Sequence, residues 1–228
     1  MTVNRRLLTI EIAGTFVVFA LALFLSAGTV VWFAGWVFLA LFLGFTVSIS
    51  RWLLRHNPGL LIERMTGFGR PDQPVWDRVF FVTTQLCFLA WLVLMSLDAV
   101  RFRWSQIPIW VQMVGAILLV CSFYLFFLTF RENPYLSPAV RLQSERGQKV
   151  VSTGPYHYVR HPMYATTIVF MVGTTFLLGS WYGLFLGALI LVGIAVRAVK
   201  EERMLRAELP GYEEYMGKVR YRFIPYVW

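Results

Sequence analysis

Charge is scarce in this 228-residue chain: only 14% of residues are Asp, Glu, Lys or Arg, where about 25% is usual in a soluble domain. With 58% apolar and 17% aromatic residues, there is too little polar surface to cover an ordinary water-soluble core. Acid is scarcer than base, 12 against 21, for a formal net charge of +9. The two cysteines, Cys87 and Cys121, lie inside apolar runs without the neighbours of a redox or zinc motif, so no disulfide framework is expected. His157 and His161 are spaced as a helical metal pair. Pro155 and Pro162 interrupt any helix through them and no third ligand is evident, so no metal site is expected. No internal repeat or low-complexity stretch divides the chain.

What is present is a series of apolar runs near the ~20-residue length that crosses a ~30 Å hydrocarbon layer. They read as 7–29, 31–50, 79–100, 107–129, 163–179 and 181–199. The expected fold class is all-α, a polytopic integral membrane protein with about six transmembrane helices. The first run follows "NRR" but is long and ends without a small-residue cleavage site, so it is read as a mature span and not a signal peptide. Six spans place 19 of the 21 basic residues on one side and leave Arg101 and Arg103 on the other. The basic side, with both termini, is then expected to be cytoplasmic. Membrane lipids account for the positive charge, and no nucleic-acid pattern accompanies it.

Two segments on the basic side differ in kind. Residues 51–78 mix Leu and Ile with Arg and are broken at Pro58, Gly67, Gly69, Pro71 and Pro74, which predicts a short interfacial helix followed by a loop. Residues 131–161, with prolines at 134, 138 and 155, form a long connection of the kind that builds binding loops. We read 1–129 as a four-helix region and 130–228 as a catalytic core, both within one domain. Pro162 suits the first position of a helix, which makes His161 its cap. A helix of 163–179, a turn at Gly179-Ser180 and a return over 181–199 each rise about 26–28 Å. "YVRHPMY" and "RAVKEERML" should therefore meet at one membrane face. Arg197 and Glu201 share a helix face there, while Glu202 points about 100° round. An interfacial ion pair and an aromatic belt of Tyr156, Tyr158 and Tyr164 are the plain readings of these residues.

Their joint order is more specific. Gly154-Pro155-Tyr156, Arg160-His161-Pro162 and Tyr164, a helical hairpin, Glu201-Glu202-x-x-Leu205, Gly211-Tyr212-x-x-Tyr215 and Ile224-Pro225 together resemble the isoprenylcysteine carboxyl methyltransferase family, whose relatives include phospholipid N-methyltransferases and thiol methyltransferases. The resemblance covers residues 130–228. Pro210 before Gly211 departs from many members and resembles the bacterial-type branch. The resemblance implies an integral-membrane methyltransferase using S-adenosylmethionine, with its cofactor pocket on the cytoplasmic side. It carries Gly154, Pro155, Tyr156, Arg160, His161, Pro162, Tyr164, Glu201 and Glu202 over as cofactor-binding candidates, and Arg197 and Glu201 as catalytic ones.

The residue types agree with that chemistry. Tyrosine faces suit an adenine or a sulfonium, Arg160 and the first N–H groups of the helix at Pro162 suit a carboxylate, and Glu201 or Glu202 suits an ammonium. Gly67-x-Gly69 follows no strand and lacks the third glycine of a dinucleotide fingerprint. Arg197 is the candidate for holding an acceptor carboxylate. An amine acceptor needs a base, for which Glu201, His157 or His161 is available. The expected substrate is lipophilic or lipidated, with an isoprenylcysteine-like carboxylate first, and a phospholipid amine or a small thiol as alternatives. A nicotinamide-dependent reductase of the sterol type, whose usual length exceeds 228 residues, and a non-enzymatic scaffold are the readings from other classes. Glycines 173, 179, 183, 187 and 193 along the hairpin are expected to permit close packing more than a lipid-side opening. Asp98 is expected to pair with Arg101, and Glu11, an intramembrane carboxylate, has no assigned role.

Overall fold

The computed structural model describes residues 3–228, and every regular element among them is helical. Helix α1 (Arg5–Ala27) starts where the Asn4 side chain accepts hydrogen bonds from the N–H groups of Arg6 and Leu7, and stops at Gly28 in the left-handed conformation. Helix α2 (Phe33–His56) is followed directly by the short α3 (Pro58–Thr66), which Asn57 caps and Pro58 opens. This is the interfacial helix expected within 51–78. Helix α4 (Val75–Ser96) ends in a π-helical turn, Leu97–Arg101, and α5 (Ile109–Glu132) follows. After the long connection come α6 (Pro162–Leu178), α7 (Trp181–Glu208) and α8 (Tyr212–Lys218).

Five of these helices, α1, α2, α4 with its π turn, α5 and α7, are long and apolar enough to cross a membrane. The sixth expected span, α6, is a shorter apolar helix of 17 residues. Pro162 and Gly179 set its ends, and it rises about 26 Å. It is also the helix most enclosed by its neighbours, with ten buried residues. Helix α6 packs antiparallel against α5 along its own length. A Cβ added at Gly115 would lie 2.3 Å from the Leu177 nitrogen, and one at Gly173 would lie 2.7 Å from the Leu119 nitrogen. Gly183 against Met95 and Gly187 against Trp91 bring α7 onto α4, and the Trp91 indole donates to the Gly183 carbonyl at 2.7 Å. The hairpin glycines therefore act in packing, except Gly179, which makes the left-handed turn that ends α6.

Polar anchors fix the two ends of the bundle. At one end Asp98 accepts from the Ser105 N–H (2.8 Å), the Ser105 hydroxyl (2.7 Å) and the Ser180 hydroxyl (2.5 Å). These serines, not Arg101 as expected, are its partners, because the π turn aims the carboxylate inward while Arg101 lies exposed beside Gly28. At the other end lie the N-terminus, α3, the long connection and the C-terminal tail. Glu11 is exposed on α1.

Candidate active site

The site forms at that second end. Gly154, at φ +56°, opens a single 3-10 turn, Gly154–His157, and a Cβ there would meet Glu132 at 2.5 Å. The turn buries Tyr156, whose hydroxyl accepts from the Asn133 amide at 2.7 Å and whose carbonyl accepts from the Tyr215 hydroxyl at 2.7 Å. Burial pushes the Tyr156 phenol up and holds it neutral. The next residues pair with the tail: the N–H groups of Arg160 and His161 donate to the carbonyls of Tyr221 and Arg222, each at 2.9 Å. Pro162 then opens α6 and sets His161 at the cap position.

Glu202 receives the side chains that this loop and tail aim inward. It accepts from Arg160 Nε (2.7 Å) and Arg222 Nε (2.8 Å), and His161 Nε2 lies 3.1 Å away. Arg160 Nη1 also donates to the carbonyls of Val219 and Arg220. Glu201, one position earlier, faces elsewhere. One of its oxygens, Oε2, accepts from the Tyr164 hydroxyl at 2.7 Å, and that hydroxyl in turn accepts from Arg197 Nη1 at 2.9 Å. Arg197 is buried, and its other nitrogens donate to Asp77 Oδ1 at 2.9 Å and the Pro138 carbonyl at 2.7 Å. The Tyr164 phenol thus stands between Arg197 and Glu201, where a direct ion pair was expected.

These groups border a cleft enclosing about 820 Å³, part of it open to solvent. Tyr156, Arg160, His161, Tyr164 and Glu201 line it. The other expected residues stand behind the lining. Gly154 and Pro155 shape the turn, Pro162 starts the helix, Glu202 anchors Arg160 and His161, and Arg197 braces Tyr164. His157 is exposed and stacks edge-on against Tyr158.

Sequence reasoning missed much of the wall. Tyr135, Val140, Arg141 and Lys149 come from the long connection, and Met204, Leu209, Tyr212 and Tyr215 come from the end of α7 and from α8. The two tyrosines carried a signal, since both stand in the recurring order of motifs. The connection was expected to build a binding loop, but nothing singled out these four residues, because its course depends on a distant clasp. Arg141 donates bidentately to Glu63 of α3 (3.0 and 2.9 Å) and also reaches Asp72 (2.8 Å) and Glu145. Tyr212 belongs to this wall, and its hydroxyl is buried without a hydrogen-bond partner. An orphaned buried hydroxyl is costly unless something bound there answers it.

Residues 111–209 match the family model of phospholipid methyltransferases. The match runs from the start of α5 to the residue after α7 and takes in Tyr156, Arg160, Glu201 and Glu202, but not Tyr212 or Tyr215. This part of the chain is thus similar to membrane methyltransferases, and the similarity supports an enzyme of that type. The chain is also 28% identical, over 227 aligned residues, to the Delta(14)-sterol reductase TM7SF2 of Mus musculus. That alignment covers 85% of this chain and 52% of the relative, so the chain spans about half the length of the curated protein it matches.

Proposed function

We propose that the protein is an integral-membrane methyltransferase that takes S-adenosylmethionine in the cleft below the Gly154–His157 turn and methylates a lipophilic acceptor. The observation that carries this reading is which polar groups the cleft leaves uncommitted. Arg160 and Arg141 are already held by Glu202 and Glu63, whereas Glu201 keeps one oxygen free of the Tyr164 bond and the Tyr212 hydroxyl is unpartnered. A free carboxylate and phenol beside Tyr156 and Tyr164 fit a ligand with a cationic sulfonium and ammonium. A phosphate-rich nicotinamide cofactor calls instead for several free cations, and among the lining residues Lys149 alone has no carboxylate partner. On this reading Glu201 takes the ammonium, Tyr156 and Tyr164 flank the apolar and cationic parts, and Tyr212 supplies a hydroxyl. The first N–H groups of α6 receive the carboxylate, while Gly154, Pro155, Arg160, Pro162 and Glu202 hold that constellation in shape. When bound, the cofactor supplies a methyl group on a positively charged sulfur, open to in-line attack. The protein's own contribution is orientation and exclusion of water.

The acceptor divides the proposal. An isoprenylcysteine-like carboxylate was assigned to Arg197, whose nitrogens are engaged by Asp77, Pro138 and Tyr164, so it would have to displace one of them. A phospholipid amine needs only a base, a part left to His161 when Glu201 holds the cofactor's ammonium, and the family match favours it. We place the amine first and the carboxylate second, with the site on the cytoplasmic face. The similarity to a sterol reductase motivates a reductase as the reading from another class.

Calorimetric titration of the detergent-purified protein with S-adenosylmethionine, S-adenosylhomocysteine and NADPH tests the class. The first two should saturate and the third should not bind. Glu201→Ala should weaken binding tenfold or more, and Tyr212→Phe severalfold with no loss of thermal stability. Saturable NADPH binding alone would replace this reading with the reductase. Transfer of a labelled methyl group to lipid amines should rise with pH as the ammonium loses its proton, whereas transfer to a prenylcysteine carboxylate should be flat above about pH 6.

A further inference from the structure

A second cavity lies far from these residues, between α1 and α2 at the basic end of the bundle. The two helices touch through Phe24 and Trp36 and through Phe19 and Phe42. Beyond those contacts they leave a groove of about 1430 Å³, part of it open to the surroundings. Its shaft is apolar, formed by Leu8, Ile12, Ala13, Phe16, Leu43 and Val47. Its mouth carries Arg5, Arg51 and Arg55, with the hydroxyls of Thr9 and Ser50 beside them. No acidic residue lines it, and none of the three arginines pairs with a carboxylate among the described residues. Elsewhere at this end Arg70, Arg141, Arg160, Arg197, Arg206 and Arg222 hold carboxylates, while Arg203 and Arg220, which lie outside the groove, hold none among the described residues.

We propose that this groove is a binding site for one anionic phospholipid, separate from the catalytic cleft. Its phosphate is held by Arg5, Arg51 and Arg55, and one acyl chain lies along the shaft. Charge alone at a helix end answers to topology and would be satisfied by any arrangement of arginines on this face. Here three arginines from two helices line a single groove, and beside them lies an apolar slot in which an acyl chain replaces contacts the two helices do not make with each other. A headgroup with a negative charge matches the mouth, since each guanidinium offers paired donors to phosphate oxygens. A zwitterionic headgroup brings its own cation to the same place and gains less.

The test uses the full chain in a neutral detergent. Native mass spectrometry and thermal unfolding are recorded with phosphatidylglycerol and with phosphatidylcholine of the same acyl chains. One phosphatidylglycerol per protein should be retained about tenfold more strongly than phosphatidylcholine and should raise the unfolding temperature. The triple variant Arg5→Gln, Arg51→Gln, Arg55→Gln should lose that preference. A variant neutralised equally at Arg203→Gln, Arg206→Gln and Arg220→Gln, which lie outside the groove, should keep it. Equal retention of the two lipids, a preference that survives in the triple variant, or the same effect from glycerol phosphate without acyl chains would each overturn the proposal. Ala13→Phe, which fills the shaft, gives an independent reading: it should reduce lipid retention in a protein whose arginines are intact. Calorimetry of the same variants with S-adenosylmethionine separates this site from the proposed catalytic function, because the triple variant should bind that ligand as the unaltered protein does.

Discussion

Two adjacent glutamates take opposite parts. Glu202 is 4% exposed and accepts from Arg160 and Arg222, with His161 in reach, so it ties the 154–161 loop to the C-terminal tail. Glu201 is half-buried and faces the cleft with one oxygen free. Removing one partner of a buried ion pair leaves the other charge desolvated and alone, at about 3–5 kcal/mol. Glu202→Ala should therefore lower stability by about that much and loosen the tail, read as thermal unfolding and as amide exchange over 219–228. Glu201→Ala should cost about 1 kcal/mol or less, because Tyr164 keeps Arg197, and its effect should fall on ligand binding. That both glutamates come to the 154–164 loop was legible. Which of them faces the cleft was not, since a 100° step along α7 has meaning only once the neighbours are in place.

Among the elements, α5 and α6 form the closest pair, and glycine sets their spacing. At Gly115 the obstacle to a side chain is the backbone of α6 at 2.3 Å, which no rotamer change relieves. Gly115→Ala should force the two helices apart and cost about 1–3 kcal/mol or more, with a loss of cleft geometry, since α6 carries His161 and Tyr164 at its start. Gly44 of α2 meets nothing within 4 Å, so Gly44→Ala should be neutral or stabilising by up to about 1 kcal/mol. Thermal unfolding of the pair in one detergent checks the contrast. Small residues were expected to pack on the hairpin, but Gly115 lies on the partner helix and was not singled out. Its importance comes from register between two helices that are far apart in sequence.

For the whole molecule, the wall of the cleft depends on one long-range clasp. Arg141 joins the connection after α5 to Glu63 of α3 and to Asp72, 78 and 69 residues away. Burial by itself would raise the Glu63 carboxyl. The hydrogen bonds from Arg141 and Ser137 and the charges of Arg141 and Arg70 outweigh it and hold that carboxyl below its ordinary value of 4.5. A carboxyl depressed in the folded state contributes stability that is complete above its unfolded value and is lost as pH falls through the folded one. The connection should thus be equally protected from pH 6 to 8 and lose protection only as pH falls below 4.5 and through the lower folded value. Hydrogen exchange over 133–151 measures this, and Arg141→Ala at pH 7 should reproduce the acid state and weaken ligand binding.

The sequence by itself determined the membrane as solvent, the helical class, a short helix within 51–78, the sharp start at His161-Pro162, and the meeting of the 154–164 loop with the 197–205 helix. Each follows from local chemistry: run length, a missing N–H, or two antiparallel legs of equal rise. Only the tertiary structure decided that Arg197 braces Tyr164, that Asp98 bonds serines, that Tyr212 in the cleft wall buries a hydroxyl without a partner, and that α1 and α2 part to leave a groove beside three arginines. Those outcomes depend on which side chains arrive at a buried polar group from elsewhere in the chain. A buried donor or acceptor takes the partner that packing brings within about 3 Å, whatever its distance in sequence.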